Sequence, residues 1–417
     1  MAEQGPIISV NGGLYATFAL QCRTHVLRRL GERMRRLFVA ILVGGWAAAT
    51  PAIGQKTPAK PVKPAPPPPA AARDTVQAKT LAGTQADKAY NVGVAEFGNR
   101  NFAAALAAFD KAVAGRADFE KAFYNRAATK LELKDLPGAL ADYNEAIRLN
   151  PTAAGSYFGR GQVQEASGDR LAAEADYSKA TEINSAFAQP WYYRGVLRFE
   201  QANALAAQGK DSASQVRFQE AIADFDKALT VDPQYAYALN DRGSARLQLR
   251  NYDEAVADYT RALAINDQNP LFLTNRAAAY HRKGDEKNAL EDLNRADKLK
   301  SGSAQTLNSR GAVRYAAADY KGAVADFTAS LAANPQYALA LNNRGAAKIK
   351  LLDYAGAEAD LTAALKLNPK YGEALLNRGI AREMMRKAED ACADWRQAGK
   401  LNIEVGTNYA NAANCGK

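Results

Sequence analysis

A small residue recurs along this sequence at Gly93, Ala127, Gly161, Gly195, Gly243, Ala277, Gly311, Gly345 and Gly379, every 34 residues except for one interval of 48. From the second copy onward an arginine precedes it, as in Tyr124-Asn125-Arg126-Ala127. A fixed period of this length marks a repeat architecture, in which each unit is one supersecondary element that buries its apolar face only against its neighbours. Length therefore says little about domain number, and the 417 residues read as one array rather than two or three compact domains.

With the small residue numbered as position 8 of each unit, the other periodicities describe a helix pair. Position 20 is alanine in all nine units: Ala105, Ala139, Ala173, Ala221, Ala255, Ala289, Ala323, Ala357 and Ala391. Position 27 is alanine except at Ser330, and position 24 is bulky, as in Phe109, Tyr143, Tyr177, Phe225, Tyr259, Phe327 and Trp395. Pro151, Pro233, Pro335 and Pro369 fall at position 32, where one helix must stop before the next begins. Small residues at 8, 20 and 27 let two helices approach closely, and bulky ones at 4 and 24 fill the space between them.

This pattern resembles the tetratricopeptide repeat, over residues 84–403. The resemblance implies an all-α, right-handed superhelical solenoid of nine helix-turn-helix units, with helix A at positions 1–14 and helix B at 16–30. It also implies a short capping helix over 404–417.

Two features test this phasing within the sequence. Position 23 is aspartate wherever position 7 is arginine, giving Arg126 and Asp142, Arg160 and Asp176, Arg194 and Asp224, Arg242 and Asp258, Arg276 and Asp292, Arg310 and Asp326, Arg344 and Asp360, and Arg378 and Asp394. The first unit has Val92 and Ala108 at these positions, so both partners are absent together. Positions 7 and 23 lie level across a hairpin that turns near position 15, and an ion pair joining helix A to helix B is expected in each unit, with a structural role. The second feature is the long interval. Its 14 extra residues centre on Gly209 and divide into about two helical turns per helix. The fourth unit is therefore expected to project a longer hairpin over 201–220.

The N-terminal part has a different character. From Met34 two arginines, an apolar run over 37–49 and the small residues before Gln55 follow the order of a secretory signal peptide, with cleavage expected near Gly54 and translation starting at Met34. A signal anchor with a long lead is the alternative. The apolar run is short for a spanning helix of about 20 residues, and no integral membrane span is expected in the mature chain. Residues 55–83 hold seven of the 16 prolines and are expected to form an extended linker. The net charge of +10 belongs to these segments: residues 84–417 carry 43 Lys/Arg against 41 Asp/Glu, which is no footprint for nucleic acid.

Catalytic chemistry finds few candidates. Of two histidines, His25 lies in the leader and His281 stands alone on a repeat helix; no glycine-rich phosphate loop or paired-cysteine metal spacing appears. The chain is read as a non-enzyme without cofactor or metal. Cys392, at position 21 of the last helix B, and Cys415 are level across the final turn, so a disulfide is expected in an oxidising compartment, with two free thiols as the alternative. The segment 391–417 is also similar to the closing segment of exported bacterial tetratricopeptide proteins.

The resemblance implies that positions 2, 5, 9, 12 and 13 of helix A line a ligand groove. Position 5 is Tyr90, Tyr124, Phe158 and Tyr192, then Asn240, Thr274, Asn308, Asn342 and Leu376. Aromatic residues there suit apolar or sugar faces, and asparagines suit a peptide backbone; the alternative is that the rings pack between neighbouring A helices. The Lys and Asn pair with which chaperone adaptors of this family clamp a terminal carboxylate is absent. The expected function is an exported, periplasmic or envelope-associated scaffold binding a protein or peptide partner. A module binding polysaccharide or peptidoglycan through the aromatic half-groove is the second reading.

Overall fold

The computed structural model describes residues 70–401, 403–413 and 415. The expected signal segment, with Met34 and Gly54, and the prolines of the linker lie outside the described residues. Every regular element among those described is an α-helix. They fall into two compact units, the first ending at Leu197 and the second beginning at Arg198. The first unit contains α1 (Ala70–Gly98), α2 (Phe102–Gly115), α3 (Glu120–Glu132), α4 (Leu136–Leu149), α5 (Ala154–Ser167), α6 (Arg170–Ile183) and the start of α7 (Ala188–Ala207). The second contains the rest of α7, α8 (Asp211–Val231), α9 (Ala236–Gln248), α10 (Tyr252–Ile265), α11 (Pro270–Lys283), α12 (Glu286–Leu299), α13 (Ala304–Ala316), α14 (Tyr320–Ala333), α15 (Ala338–Lys350), α16 (Tyr354–Leu367), α17 (Gly372–Met384), α18 (Ala388–Lys400) and α19 (Glu404–Ala412). Within each unit the helices form consecutive A-B hairpins, each packed on the next.

The turn from A to B is set by one residue. At position 15 the backbone is left-handed: Arg100, Lys134, Arg250, Ala318, Leu352 and Arg386 have φ of 60–67°, and Gly168 and Gly284 take the same place with φ of 88° and 84°. The reversal lets the next amide turn back, as when Asp135 N donates to Lys130 O at 2.9 Å, satisfying carbonyls that a helix end leaves open. Helix B then starts on an aspartate cap at position 16; Asp135, Asp169, Asp285, Asp319 and Asp353 each accept from the backbone amide three residues on. Helix B ends at position 31, where Asn150, Asn184, Asp232, Asn334 and Asn368 accept from the amide two residues later and turn the chain into the next helix A.

The hairpins close on small residues. All nine position-20 alanines are fully buried, as are the position-27 residues, including Ser330. The position-24 ring packs directly against position 8: a Cβ on Gly161 would stand 2.6 Å from the Tyr177 ring, and one on Gly311 2.7 Å from the Phe327 ring. Burying each such ring contributes about 1.5–3 kcal/mol.

Three departures from the regular unit follow the local sequence. α1 begins directly after Pro69, so residues 70–83, expected to be extended, are helical. The prolines stop there, and the alanine-rich stretch that follows holds nothing to interrupt a helix. α7 and α8 have 20 and 21 residues where the other B helices and most A helices have 13 or 14, and Gly209 turns between them with φ of 72°. In their prolonged part Phe199 packs on Phe218 at 5.5 Å. Last, α19 lies on α18, with Tyr409 stacked on Trp395 at 5.1 Å and a disulfide joining Cys392 to Cys415 across a Cα separation of 5.4 Å. No helix among the described residues is long and apolar enough to cross a membrane.

Candidate functional site

The position-7 arginine is the centre of each joint. Arg126 donates to both carboxylate oxygens of Asp142 at 2.8 and 2.7 Å, and Arg160 to those of Asp176 at 2.7 Å each. In the second unit Arg242 reaches Asp258, Arg276 Asp292, Arg310 Asp326, Arg344 Asp360 and Arg378 Asp394, at 2.5–2.7 Å for the Nη2 bond. The hydrogen bond that Arg160 donates to Asp176 holds its guanidinium above its ordinary value, as the bond to Asp292 does for Arg276. Arg194 and Asp224 share the fourth repeat but fall on either side of the division between the compact units: Arg194 lies over the Trp191 ring at 4.8 Å and donates to Ser178, and Asp224 accepts from Arg198 at 2.9 Å.

Two further positions complete the joint, and the sequence reading passed over both. The third guanidinium nitrogen reaches back to position 25 of the preceding hairpin. Arg126 donates to Asp110, Arg160 to Asn144, Arg242 to Asp226, Arg276 to Thr260, Arg310 to Asn294, Arg344 to Thr328 and Arg378 to Thr362. One arginine thus ties three helices in two successive hairpins. Position 11, one helical turn after the arginine, supplies a second cation to the same aspartate: Lys130 to Asp142, Arg246 to Asp258, Arg314 to Asp326, Lys348 to Asp360 and Arg382 to Asp394, at 2.7–2.9 Å. The signal was available, because position 25 is short and polar in all eight units that precede an arginine and position 11 is basic in six of the nine.

The position-5 residues expected to line a groove are spent on packing. Phe158, Tyr192, Asn240, Asn308 and Asn342 are buried, and Tyr90 and Tyr124 are half-buried. Phe158 is enclosed by Tyr177, Phe187 and Tyr193 with ring centres 5.2–5.7 Å away, and Tyr124 meets Tyr143 at 5.7 Å. Burial, followed by the Glu120 and Tyr90 charges, pushes the Tyr124 phenol well above its ordinary value. Tyr90 stands beside Phe119 at 4.9 Å and its hydroxyl accepts from Asn125 at 2.9 Å. The asparagines form a ladder across hairpins: Asn275 donates to Asn240 at 2.8 Å, Asn343 to Asn308 at 3.2 Å and Asn377 to Asn342 at 3.0 Å, and Asn342 itself donates to Asn343 at 3.2 Å. The donor comes from position 6 of the following helix A, so these amides satisfy each other and offer no open face to a ligand.

With position 5 withdrawn and position 9 mostly buried, the face of helix A stays open at its two ends. At position 2, Lys121 is exposed, and Tyr237, Leu271, Gln305 and Glu373 are half-buried. At position 13, Arg282, Lys350 and Met384 are exposed, and Glu132 and Gln248 are half-buried. His281 faces Glu286, with Nδ1 2.7 Å from the carboxylate. Among the described residues no group of three or more His, Cys, Asp or Glu side chains could hold a metal ion.

Comparison with known proteins bears on the repeats. The family profile described as TPR repeat matches residues 129–168 and 243–284, and the one described as Tetratricopeptide repeat matches 154–187 and 272–302. No curated protein sequence matches the chain. Similar solved structures include YrrB, described as a TPR protein with an unusual peptide-binding site, at 20% identity, covering 48% of this chain and 97% of its own, with a TM-score of 0.40. Yeast Tom70 is similar at 12% identity, covering 79% and 95%, with a TM-score of 0.44. The C-terminal part of a TPR repeat-containing protein from Cytophaga hutchinsonii is similar at 18% identity, covering 61% and 98%, with a TM-score of 0.48.

Proposed function

The chain belongs to the tetratricopeptide repeat family, and from that premise we propose that it is a non-catalytic scaffold, exported from a bacterial cell, that holds an extended segment of a partner protein against its A helices. The fold is that of a protein–protein interaction scaffold. The observation that carries the finer reading is the division of helix A into locked and open positions. Positions 5 and 6 are committed to the joints, whereas in the second unit Tyr237, whose ring meets Phe272 at 5.4 Å, and Leu271 keep part of their surface at position 2, and Arg282, Lys350 and Met384 are exposed at position 13. Tyr237 and Leu271 near one end of the A helices and Arg282 and Lys350 near the other suit a segment that carries both apolar and acidic side chains. The signal-like order from Met34 to Gly54 supports export.

Capture of the partner from an envelope extract tests the surface. Tyr237→Ala with Leu271→Ala is expected to lower capture at least tenfold, and Leu171→Ala, on an exposed helix-B residue of the first unit, to leave it unchanged. Capture indifferent to the first pair overturns the assignment. Mass spectrometry of the mature N-terminus tests export: a chain beginning near Gln55 supports it, and one retaining residues 1–33 opposes it. Stacking on a sugar needs an open ring face, and Phe158 and Tyr192 are buried, which disfavours a glycan at the aromatic half-groove.

A further inference from the structure

Each internal joint is secured by the position-7 arginine, but the last one is not. α19 occupies the place of a tenth helix A, and there position 7 is Ala412 while position 25 of the preceding hairpin is Arg396. Neither the arginine nor its short polar acceptor is present. The apolar hold is also small: α19 buries Gly406 and Ala410, with Val405 and Tyr409 packed beside them, whereas α17 buries Ala374, Leu375, Leu376, Gly379, Ile380 and Ala381 among others. Nine residues fall well short of the about 12–15 at which an isolated helix becomes even marginal in water. What stands in place of the arginine is the bond between Cys392 on α18 and Cys415 just beyond α19, two residues that both keep part of their surface in solvent.

We infer that the Cys392–Cys415 disulfide is a redox-operated latch that holds α19 over the α18 edge, and that its reduction lets α19 leave. The substitution of one cross-link by another is what gives the joint this property. A guanidinium-carboxylate bridge is indifferent to redox poise, and a disulfide is not. The reductant is a dithiol. One of its thiolates attacks Cys392 or Cys415, the sulfur–sulfur bond breaks, and a mixed disulfide forms; the second thiol resolves it. The reductant departs as its own disulfide, and the protein gains two electrons and two protons as two cysteine thiols. The surface released carries Trp395, Ala398 and Gly399, which meet Tyr409, Gly406 and Thr407 of α19, on the edge that each earlier helix B within the unit presents to a following helix A, so the open state presents a seat shaped for a helix.

Hydrogen exchange of the full chain, measured with and without dithiothreitol, tests the latch independently of any partner. Losing the cross-link over its sequence separation of 23 is expected to speed exchange of the α19 amides by about a hundredfold, with α9–α17 unchanged. The Cys392→Ser/Cys415→Ser variant is expected to exchange at the fast rate in both buffers. The inference is overturned if α19 exchanges at one rate in both buffers while thiol titration shows two cysteines released. It is also overturned if exchange rises throughout the second unit, which would make the bond a staple of the whole unit. Two free thiols in protein isolated under oxidising conditions overturn it as well.

Discussion

In the first unit Phe158 sits among Tyr177, Phe187 and Tyr193, all within 6 Å between ring centres; in the second, the same repeat position holds Asn342, which accepts from Asn377 and donates to Asn343. The backbone around the two is alike, with the same left-handed turn, aspartate cap and arginine joint. What the contrast teaches is that the arginine joint secures hairpin to hairpin, so the interior of the A-helix row can be filled in two chemistries. Rings fill by shape and tolerate small shifts. Amides must each be answered, because a buried unpaired amide costs more than the hydrogen bond it lost. The first unit is thus held by volume and the second by register.

The largest effect that tells them apart is expected from changing position 5 to the same residue in both. Asn342→Leu removes the bond that Asn377 donates and the one that the Asn343 carbonyl accepts and is expected to cost about 2–4 kcal/mol. Phe158→Leu trims an apolar filling and is expected to cost about 1–2 kcal/mol. Because repeats open locally, hydrogen exchange of the flanking helices is the appropriate measurement. Adding Asn377→Leu to Asn342→Leu removes the amide that donated to position 342 and is expected to restore part of the loss. If the single change is harmless, the ladder is not what sets register, and the contrast between the units fails.

Much of this was legible in the sequence, for a physical reason. A requirement repeated nine times leaves a periodic trace, so the alanines at position 20, the turn at 15 and the juxtaposition of Arg126 with Asp142 could be read without coordinates. The position-5 side chains could not be assigned a face. Tyr124 and Asn342 are polar enough to suit a groove, and only the neighbours reveal them as filling: Tyr143 for the ring and Asn343 with Asn377 for the amide. Those partners sit at positions 24 of the same unit and 6 of the same and the next, and no residue type at position 5 announces them. The helical start at Ala70 was hidden by averaging over the segment; seven prolines dominate its composition, and all of them precede residue 70.

Alkaline pH sharpens the comparison next. Burial pushes the Tyr90, Tyr124, Tyr143 and Tyr177 phenols above their ordinary value of 10.0 in the first unit, and Tyr259, Tyr315 and Tyr409 in the second. A phenol whose value is raised by folding contributes stability that is full below the unfolded value near 10 and lost as pH rises through the folded one. The folded form therefore weakens above pH 10, and the first unit, with three such groups crowded between α3 and α6, is expected to open first. Pulsed exchange at pH 10–11 reports which half loses protection. Loss of both halves together would mean that the rings of the first unit are no more exposed to this effect than the amide-filled second.

The smallest effect concerns what the two units share. Six of the position-15 residues are not glycine yet hold a left-handed backbone, among them Lys134 in the first unit and Leu352 in the second, the latter 70% exposed. A side chain there costs about 1–2 kcal/mol relative to the ordinary backbone, and glycine gives back about half of that through its looser unfolded state. Lys134→Gly and Leu352→Gly are each expected to stabilise their hairpin by about 0.5–1 kcal/mol, read as slower exchange at the end of α3 and of α15. Equal gains follow if the turn is independent of how position 5 is filled. A gain confined to Lys134→Gly would show that the amide ladder already dictates the turn in the second unit, and that register there reaches from the middle of helix A to its end.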